Sequence, residues 1–97
     1  MVWVRLTFIK IQPDKMDEVR KIYYEEIVPI VKAQKGNVDI FLLEPVDEEE
    51  EFISHNAWES KADGDEYESS GTYTAMVDKV KHTFAGPPTL KSYEVKK

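Results

Sequence analysis

The segment FISHNAW at residues 52–58 contains three side chains that could line a binding site: Ser54, Asn56 and Trp58. Alternate residues of an extended strand point to the same side, so a hydroxyl, an amide and a large ring share one face. Such a face suits a pocket for a small aromatic molecule. Asn56 is the most informative, because a buried amide without partners costs about 1–3 kcal/mol and a ligand or bound water would satisfy it.

Each candidate also has a purely structural interpretation. Packing alone explains a large ring such as Trp58 at a strand end. A neighbouring backbone group would satisfy Asn56 as well as a ligand would. Tyr73 lies on the apolar stripe of a later helix, and a tyrosine in that position is more often part of the core than a catalytic residue. Asn56, Trp58 and Tyr73 are therefore catalytic candidates with a structural alternative beside each.

The elements that position these side chains follow from apolar periodicity and turn residues. Alternation predicts four strands, at residues 2–11, 37–44, 52–58 and 89–95. Helical spacing predicts a helix over residues 14–34 and another over residues 72–84, with at most one short helix in residues 60–71. Pro29 predicts a kink near Glu25–Ile27, because proline cannot donate a hydrogen bond to the previous turn.

The predicted order is β-α-β-β-α-β, which is the ferredoxin-like arrangement of a four-stranded antiparallel sheet with helices on one face, an α+β fold. We expect Val4 and Leu6 of the first strand to lie beside Asn56. The side chains expected to line a ligand pocket are Val4, Leu6, Tyr23, Ser54, Met76 and Val77. The other face would carry apolar and polar groups that a second copy of the chain covers, namely Trp3, Arg5, Thr7, Ile9, Ile53, His55 and Ala57.

Composition and net charge argue against several classes of function. Residues 1–97 suit one small domain, and the net charge of −6 argues against nucleic-acid binding, which needs a basic face. The chain has no cysteine, which excludes thiolate catalysis and Cys-ligated zinc. No apolar run approaches the ~20 residues that cross a bilayer, and the start lacks a signal peptide pattern. We expect a cytoplasmic protein without a membrane partner, and no metal site in the acidic run at residues 47–51.

Three segments carry a family resemblance: IVPIVKAQKGNVDIFLLEP, NAWESK, and TYTAMVDKV followed by AGPPTLKSYEV. In this order they resemble the helix-to-strand segment, the third-strand end and the last helix and strand of the antibiotic biosynthesis monooxygenase (ABM) family. The resemblance spans essentially the whole chain. It implies a dimeric α+β barrel with a pocket between the sheet and the helices of each subunit.

The activities implied by the resemblance differ between branches. Some members oxygenate aromatic polyketides or quinols with molecular oxygen and no metal or flavin, and others degrade haem. The haem branch's first-strand asparagine and last-helix histidine fall on Val4 and Val77, so only Trp58 matches, and valine cannot bind iron. Thr72 replaces the histidine that many members carry at the start of the last helix, and it also suits an N-cap.

The sequence therefore leaves two main hypotheses. The first is a homodimeric, cofactor-independent monooxygenase for a small aromatic or quinol-like substrate, without a metal. The second is a non-catalytic small-ligand-binding module on the same fold, which the missing histidines favour. A purely structural dimer, whose pocket is filled by its own side chains, is a third alternative.

Overall fold

The computed structural model of the chain describes residues 2–47 and 49–96. The regular elements are, in chain order, β1 Val2–Ile9, α1 Met16–Ile22, α2 Val28–Lys32, β2 Asn37–Leu43, β3 Phe52–Trp58, α3 Lys61–Ser69, α4 Gly71–Val80 and β4 Thr89–Val95. The strands form one antiparallel sheet in the order β2-β3-β1-β4. This confirms the predicted ferredoxin-like α+β fold, with β3 and β4 at the predicted residues.

The predicted helix over residues 14–34 is a chain of four helical pieces. A 3-10 turn at Pro13–Lys15 leads into α1, and a π-helical segment at Tyr23–Ile27 joins α1 to α2. At its end, the Val28 amide donates to the Tyr23 carbonyl, five residues back. Pro29 has no amide hydrogen to donate, which explains the widened turn. The kink predicted near Glu25–Ile27 falls inside this segment.

The register of the sheet shows which side chains share a face. Trp3 pairs with Trp58, and Arg5 pairs with Asn56. Directly opposed residues of antiparallel strands point to the same side, so the odd-numbered residues of β1 share the face of Asn56. The predictions that Val4 and Leu6 lie beside Asn56, and that Trp3, Arg5, Thr7 and Ile9 lie on the open face, were wrong. Both stripes of β1 are apolar enough for a core, so composition did not discriminate between them.

The helices cover this inner face of the sheet. Four side chains at intervals of four residues form one buried stripe along the first helical arm: Val19, Tyr23, Ile27 and Val31. They pack in one core cluster with Ile40 and Leu42 of β2 and Phe52 of β3. The opposite face is open in the part of the chain that the structure describes, and Leu43, Tyr93 and Val95 there are 44%, 50% and 41% exposed. Ile53, His55 and Ala57 lie on that open face as predicted, since they alternate with Ser54 and Asn56.

Two serines begin the later helices. The Ser60 hydroxyl accepts a hydrogen bond from the Asp63 amide and so caps α3. Ser70 occupies the N-cap position of α4, although its hydroxyl donates to the Tyr67 carbonyl instead of capping α4. The interpretation of Thr72 as the N-cap was wrong, because the helix already begins at Gly71. No helix in the described part of the chain is long and apolar enough to cross a membrane.

Candidate active site

A cavity of about 100 Å³ lies between the inner face of the sheet and the helices. Its walls are mostly apolar, and six side chains bring a polar atom or a phenol to them: Thr7, Tyr23, Ser54, Asn56, Tyr67 and Tyr73. Of the side chains expected at the pocket, six line it: Tyr23, Ser54, Asn56, Tyr73, Met76 and Val77. Val4 and Leu6 lie on the opposite side of the sheet, as the register requires.

Tyr23 and Ser54 form a hydrogen-bonded pair in the wall. The Tyr23 and Ser54 hydroxyl oxygens are 2.7 Å apart, and the Tyr23 hydroxyl lies 3.2 Å from the Phe41 carbonyl oxygen. When Tyr23 donates to that carbonyl, Ser54 donates to Tyr23, so both hydroxyl hydrogens have an acceptor. Burial raises the pKa of Tyr23 well above its usual value. The pair therefore presents neutral hydroxyls to the cavity.

Asn56 contributes an unsatisfied acceptor. Its side-chain oxygen Oδ1 is buried and has no hydrogen-bond partner among residues 2–47 and 49–96. Such a buried oxygen costs about 1–3 kcal/mol, and native proteins leave few of them. Because Asn56 lines the cavity, a hydroxyl donor on a bound molecule would satisfy it.

Trp58 supports the cavity from behind. It is 1% exposed, does not line the cavity, and stacks on Tyr67 with ring centroids 5.1 Å apart. Tyr67 in turn meets Tyr73 edge to face at 5.7 Å. Burial is the main cause that raises the pKa of both tyrosines. The aromatic series thus runs from the strand end at Trp58 to the cavity wall at Tyr73.

An ion pair lies beside this wall. Arg5 Nη2 is 2.7 Å from Glu68 Oε1, and both side chains are 19% exposed. The Arg5 guanidinium also stands 5.1 Å from the centroid of the Trp3 ring. Burial raises the pKa of Glu68, and Arg5 opposes this shift. The two charged groups do not line the cavity, but both act on the pKa of Tyr73, which does.

Sequence reasoning missed Tyr67 and Glu68 as residues of this region. The available signal was Gly64, because a glycine inside a helix often marks a close approach of another group. A Cβ atom on Gly64 would lie 2.1 Å from Cζ3 of Trp3. Tyr67 and Glu68 follow Gly64 by three and four residues, so all three share the helix face that meets β1.

The histidines lie away from the cavity. His55 is on the open face, stacked on Phe41 with centroids 4.2 Å apart, and His82 pairs with Glu18 beyond the end of α4. In the described ranges, no three His, Asp or Glu side chains come together in a group that could hold a metal ion. Glu48, in the middle of the acidic run at residues 47–51, lies outside those ranges.

The chain matches the family model described as antibiotic biosynthesis monooxygenase over residues 3–79, which is most of its length. Solved structures share the fold over nearly the whole chain. Rv0793 from Mycobacterium tuberculosis has a TM-score of 0.81 at 16% identity, covering 100% of this chain and 97% of its own. A proposed antibiotic biosynthesis monooxygenase from Nitrosomonas europaea has a TM-score of 0.78 at 19% identity, covering 96% and 97%.

A second proposed monooxygenase of this kind, from Caulobacter crescentus, has a TM-score of 0.84 at 17% identity, covering 99% of this chain and 91% of its own. The TM-scores show that the fold is shared, and at identities this low they show the fold alone. Curated protein sequences gave no significant match.

Proposed function

The chain belongs to the antibiotic biosynthesis monooxygenase family, and we propose that it is a cofactor-independent monooxygenase that acts on a small aromatic, quinol-like substrate. The observation that supports this most directly is the unpartnered oxygen of Asn56 in the wall of an otherwise apolar cavity. A phenolic hydroxyl donates to such an oxygen while its ring contacts the apolar walls. The cavity volume is of the order that binds one benzene ring in an engineered protein core, about 150 Å³.

The proposed reaction uses the substrate itself as the reductant. A phenol that loses its proton becomes an electron-rich anion, which transfers electrons to molecular oxygen. With an anthrone-like substrate, a ring CH₂ group becomes a carbonyl. One atom of the oxygen molecule enters the product, the other leaves as water, and the substrate supplies all four electrons. The protein contributes a dry site, a hydrogen-bonding group that holds the hydroxyl in place, and an acceptor for the proton.

Oxygen uptake tests the proposal directly. Metal-stripped protein is given a panel of quinols and anthrone-like phenols, with autoxidation measured in the absence of protein. We expect uptake above autoxidation with an oxygenated product, and a loss of about 100-fold in Asn56→Leu, which removes the polar contact and keeps the bulk. Trp58→Phe should lose less, because Trp58 acts through Tyr67.

His55→Gln is the matched control, since His55 is on the same strand and faces away from the cavity. It should retain the wild-type rate. Turnover that is unchanged in both Asn56→Leu and Trp58→Phe, or uptake equal to autoxidation across the panel, contradicts the proposal.

A non-catalytic binding module is the second candidate function. One observation favours it: His55 and His82, the two histidines of the chain, both lie away from the cavity, so no imidazole serves as its base. A thermal-shift screen with the same phenols separates the two functions. A compound that raises Tm and is recovered unchanged under oxygen supports binding alone.

We also propose that the chain, as one domain over residues 1–97, forms a homodimer through the open face of the sheet. Leu43, Tyr93 and Val95 are exposed there, and all of β4 is exposed. An apolar sheet face of this kind is suited to burial against a second copy. Light scattering should give a dimer mass, and Leu6→Glu, which places a charge on that face, should give a monomer. A monomeric wild-type chain contradicts this part of the proposal.

A further inference from the structure

Two hydroxyls in the cavity wall, those of Tyr23 and Ser54, can exchange the roles of hydrogen-bond donor and acceptor. Their oxygens are 2.7 Å apart, and either can donate to the other. The Tyr23 hydroxyl has a second acceptor, the Phe41 carbonyl oxygen, at 3.2 Å. Hydroxyl donors usually lie about 2.5–3.0 Å from their acceptor, so this second bond is long and weak. The Tyr23 hydrogen therefore turns easily from Phe41 to Ser54.

The two orientations offer different groups to the cavity, which both side chains line. When Tyr23 donates to the Phe41 carbonyl, Ser54 donates to Tyr23, and the Ser54 oxygen offers only its lone pairs to a ligand. When Tyr23 donates to Ser54, the Ser54 hydrogen becomes available to an acceptor in the cavity. The same pair thus suits a ligand that carries a proton and a ligand that has lost one.

The Phe41 carbonyl does not depend on Tyr23 for a partner. Phe41 is opposite His55 in the register of β2 and β3. The next residue, Leu42, bonds the Tyr24 hydroxyl through its amide and its carbonyl at the free edge of β2. Successive residues of a strand direct their backbone groups to opposite sides, so those of Phe41 point to β3. Turning the Tyr23 hydrogen away therefore leaves the carbonyl bonded within the sheet.

The rest of the cavity wall offers no cation to a phenolate. Among the described residues, no lysine, arginine or histidine side chain lines the cavity. The unpartnered Asn56 oxygen attracts a hydroxyl hydrogen and repels a negatively charged oxygen. An anion in this cavity therefore needs a neutral donor, and a hydrogen bond to a charged acceptor is about twice as strong as one between neutral groups. Ser54 is two residues from Asn56 on the same face of β3.

We propose that Ser54 is a catalytic residue that donates a hydrogen bond to the substrate oxygen as this oxygen loses its proton, while Tyr23 turns to donate to Ser54. The substrate O–H bond breaks, and its proton goes to the base of the reaction proposed above. The hydrogens of Ser54 and Tyr23 stay on their oxygens and only turn, and no electron moves. Asn56 thus holds the neutral substrate, and Ser54 stabilises the phenolate that follows.

Tyr23 suits this supporting role. Burial raises the pKa of its phenol, so it keeps the hydrogen that it donates to Ser54. Its side chain is held in the buried stripe of the first helical arm, so the hydroxyl hydrogen moves and the ring does not. Tyr23 acts on the phenolate through Ser54 and is a positioning residue. The proposal rests on the oxygenase function proposed above, since it names the donor for the anion of that reaction.

Binding of para-nitrophenol tests the preference for the anion, because only its phenolate absorbs strongly in visible light. Its pKa when bound is measured by titrating the absorbance at saturating protein. We expect Ser54→Ala to weaken phenolate binding about 10-fold more than binding of the neutral phenol, which raises the pKa of the bound compound by about 1. Tyr23→Phe should raise this pKa by less, because Ser54 keeps its hydroxyl.

Tyr24→Phe is the matched control for Tyr23→Phe. It removes the same phenol oxygen from the adjacent residue, which is 44% exposed and bonds the backbone of Leu42 outside the cavity. Para-nitrophenol bound to this variant should have the wild-type pKa. An equal pKa in the wild type and Ser54→Ala overturns the role of Ser54, and an equal rise in Tyr24→Phe and Tyr23→Phe overturns the role of Tyr23.

Oxygen uptake with the quinol panel tests the catalysis. We expect Ser54→Ala to lower kcat about 100-fold with little change in KM, because the lost hydrogen bond strengthens only as charge develops. Asn56→Leu should raise KM as well, because Asn56 contacts the neutral substrate. A wild type that binds no phenol contradicts the function proposed for the cavity. A bound pKa that depends on Ser54, without oxygen uptake, supports the donor role and contradicts the oxygenase alone.

Discussion

Two arginine–carboxylate pairs with similar nitrogen-to-oxygen distances occupy very different regions of this protein. On the surface, Arg20 holds Glu44 by two hydrogen bonds, of 2.7 Å from Nε and 2.6 Å from Nη2. Beside the cavity, Arg5 holds Glu68 by one contact of 2.7 Å. The surface side chains are 43% and 35% exposed, and the inner ones are both 19% exposed. Distances alone would suggest that the two carboxylates behave alike.

Their pKa values shift in opposite directions. Hydrogen bonds from Arg20 are the main cause that lowers the pKa of Glu44, and burial is the main cause that raises the pKa of Glu68. Removal from water disfavours the charged form of a carboxyl, and one incompletely satisfied contact to Arg5 does not restore the balance. The surface pair thus links α1 weakly to the end of β2. The inner pair contains a carboxylate that takes up a proton more readily than an exposed glutamate does.

The largest effect should follow from changing the residue that brings the inner pair together. In Gly64→Ala, the new methyl group would lie 2.1 Å from Cζ3 of Trp3, so α3 must move away from β1. Overpacking of this kind costs about 1–3 kcal/mol, and the better helix propensity of alanine recovers up to about 1 kcal/mol. We expect a lower free energy of unfolding in urea, and a pKa of Glu68 closer to its usual value because the ion pair opens to water.

Gly71→Ala is the control for this substitution. Gly71 is also helical, and a Cβ atom there would meet no described atom within 4 Å. The variant should match the wild type or slightly exceed its stability. Equal losses in the two glycine variants would show that helix packing against Trp3 is not what holds the inner pair.

A smaller effect, with opposite signs at the two sites, should appear in the pH dependence of stability. For Glu68, whose folded-state pKa is raised above 4.5, the folded state takes up the proton first, so its contribution to stability grows as pH falls from neutral towards 4.5. For Glu44, whose pKa is lowered, the contribution is complete above 4.5 and is lost as pH falls through the lowered value.

Urea unfolding at pH 7, 5.5, 4 and 3 measures both contributions, as the difference between wild type and Glu68→Gln and between wild type and Glu44→Gln. The first difference should move in favour of the wild type between neutral pH and about 4.5. The second should move against the wild type below about 4.5. Differences of the same sign at both sites would contradict the environments described above.

The contrast between the regions also explains what the sequence could predict. The order of elements, strands β3 and β4, and an irregularity near Glu25–Ile27 follow from local signals such as alternation and a missing amide donor. The Asn56 face was recognised because Ser54, Asn56 and Trp58 alternate on one strand. These features depend on residues that are close together in the chain, so local sequence patterns are enough to predict them.

The inner pair could not be predicted because it depends on register and on helix-to-sheet packing. On β1, Val4 and Leu6 on one side look as suitable for a core as Trp3 and Ile9 on the other, so periodicity does not choose a face. Only the pairing of Trp3 with Trp58 settles that Arg5 points inwards. Glu68 lies 63 positions away on a helix of mostly polar residues, and what joins it to Arg5 is the space that Gly64 leaves for Trp3.

The smallest effect should come from the surface pair. Arg20→Gln removes the contacts to Glu44 and to Asp17, but water and salt replace much of an exposed ion pair. We expect a small decrease in Tm at low ionic strength that disappears in 1 M NaCl, where the screening length is about 3 Å. The Tm of Arg20→Lys, which keeps the charge and loses the two-pronged geometry, should fall between those of the wild type and Arg20→Gln.

Arg5→Gln provides the opposite case, because its partner Glu68 is shielded from solvent, and its decrease in Tm should persist in 1 M NaCl. If salt removed both decreases in Tm equally, Glu68 would be as well hydrated as Glu44, and burial would not be what raises its pKa.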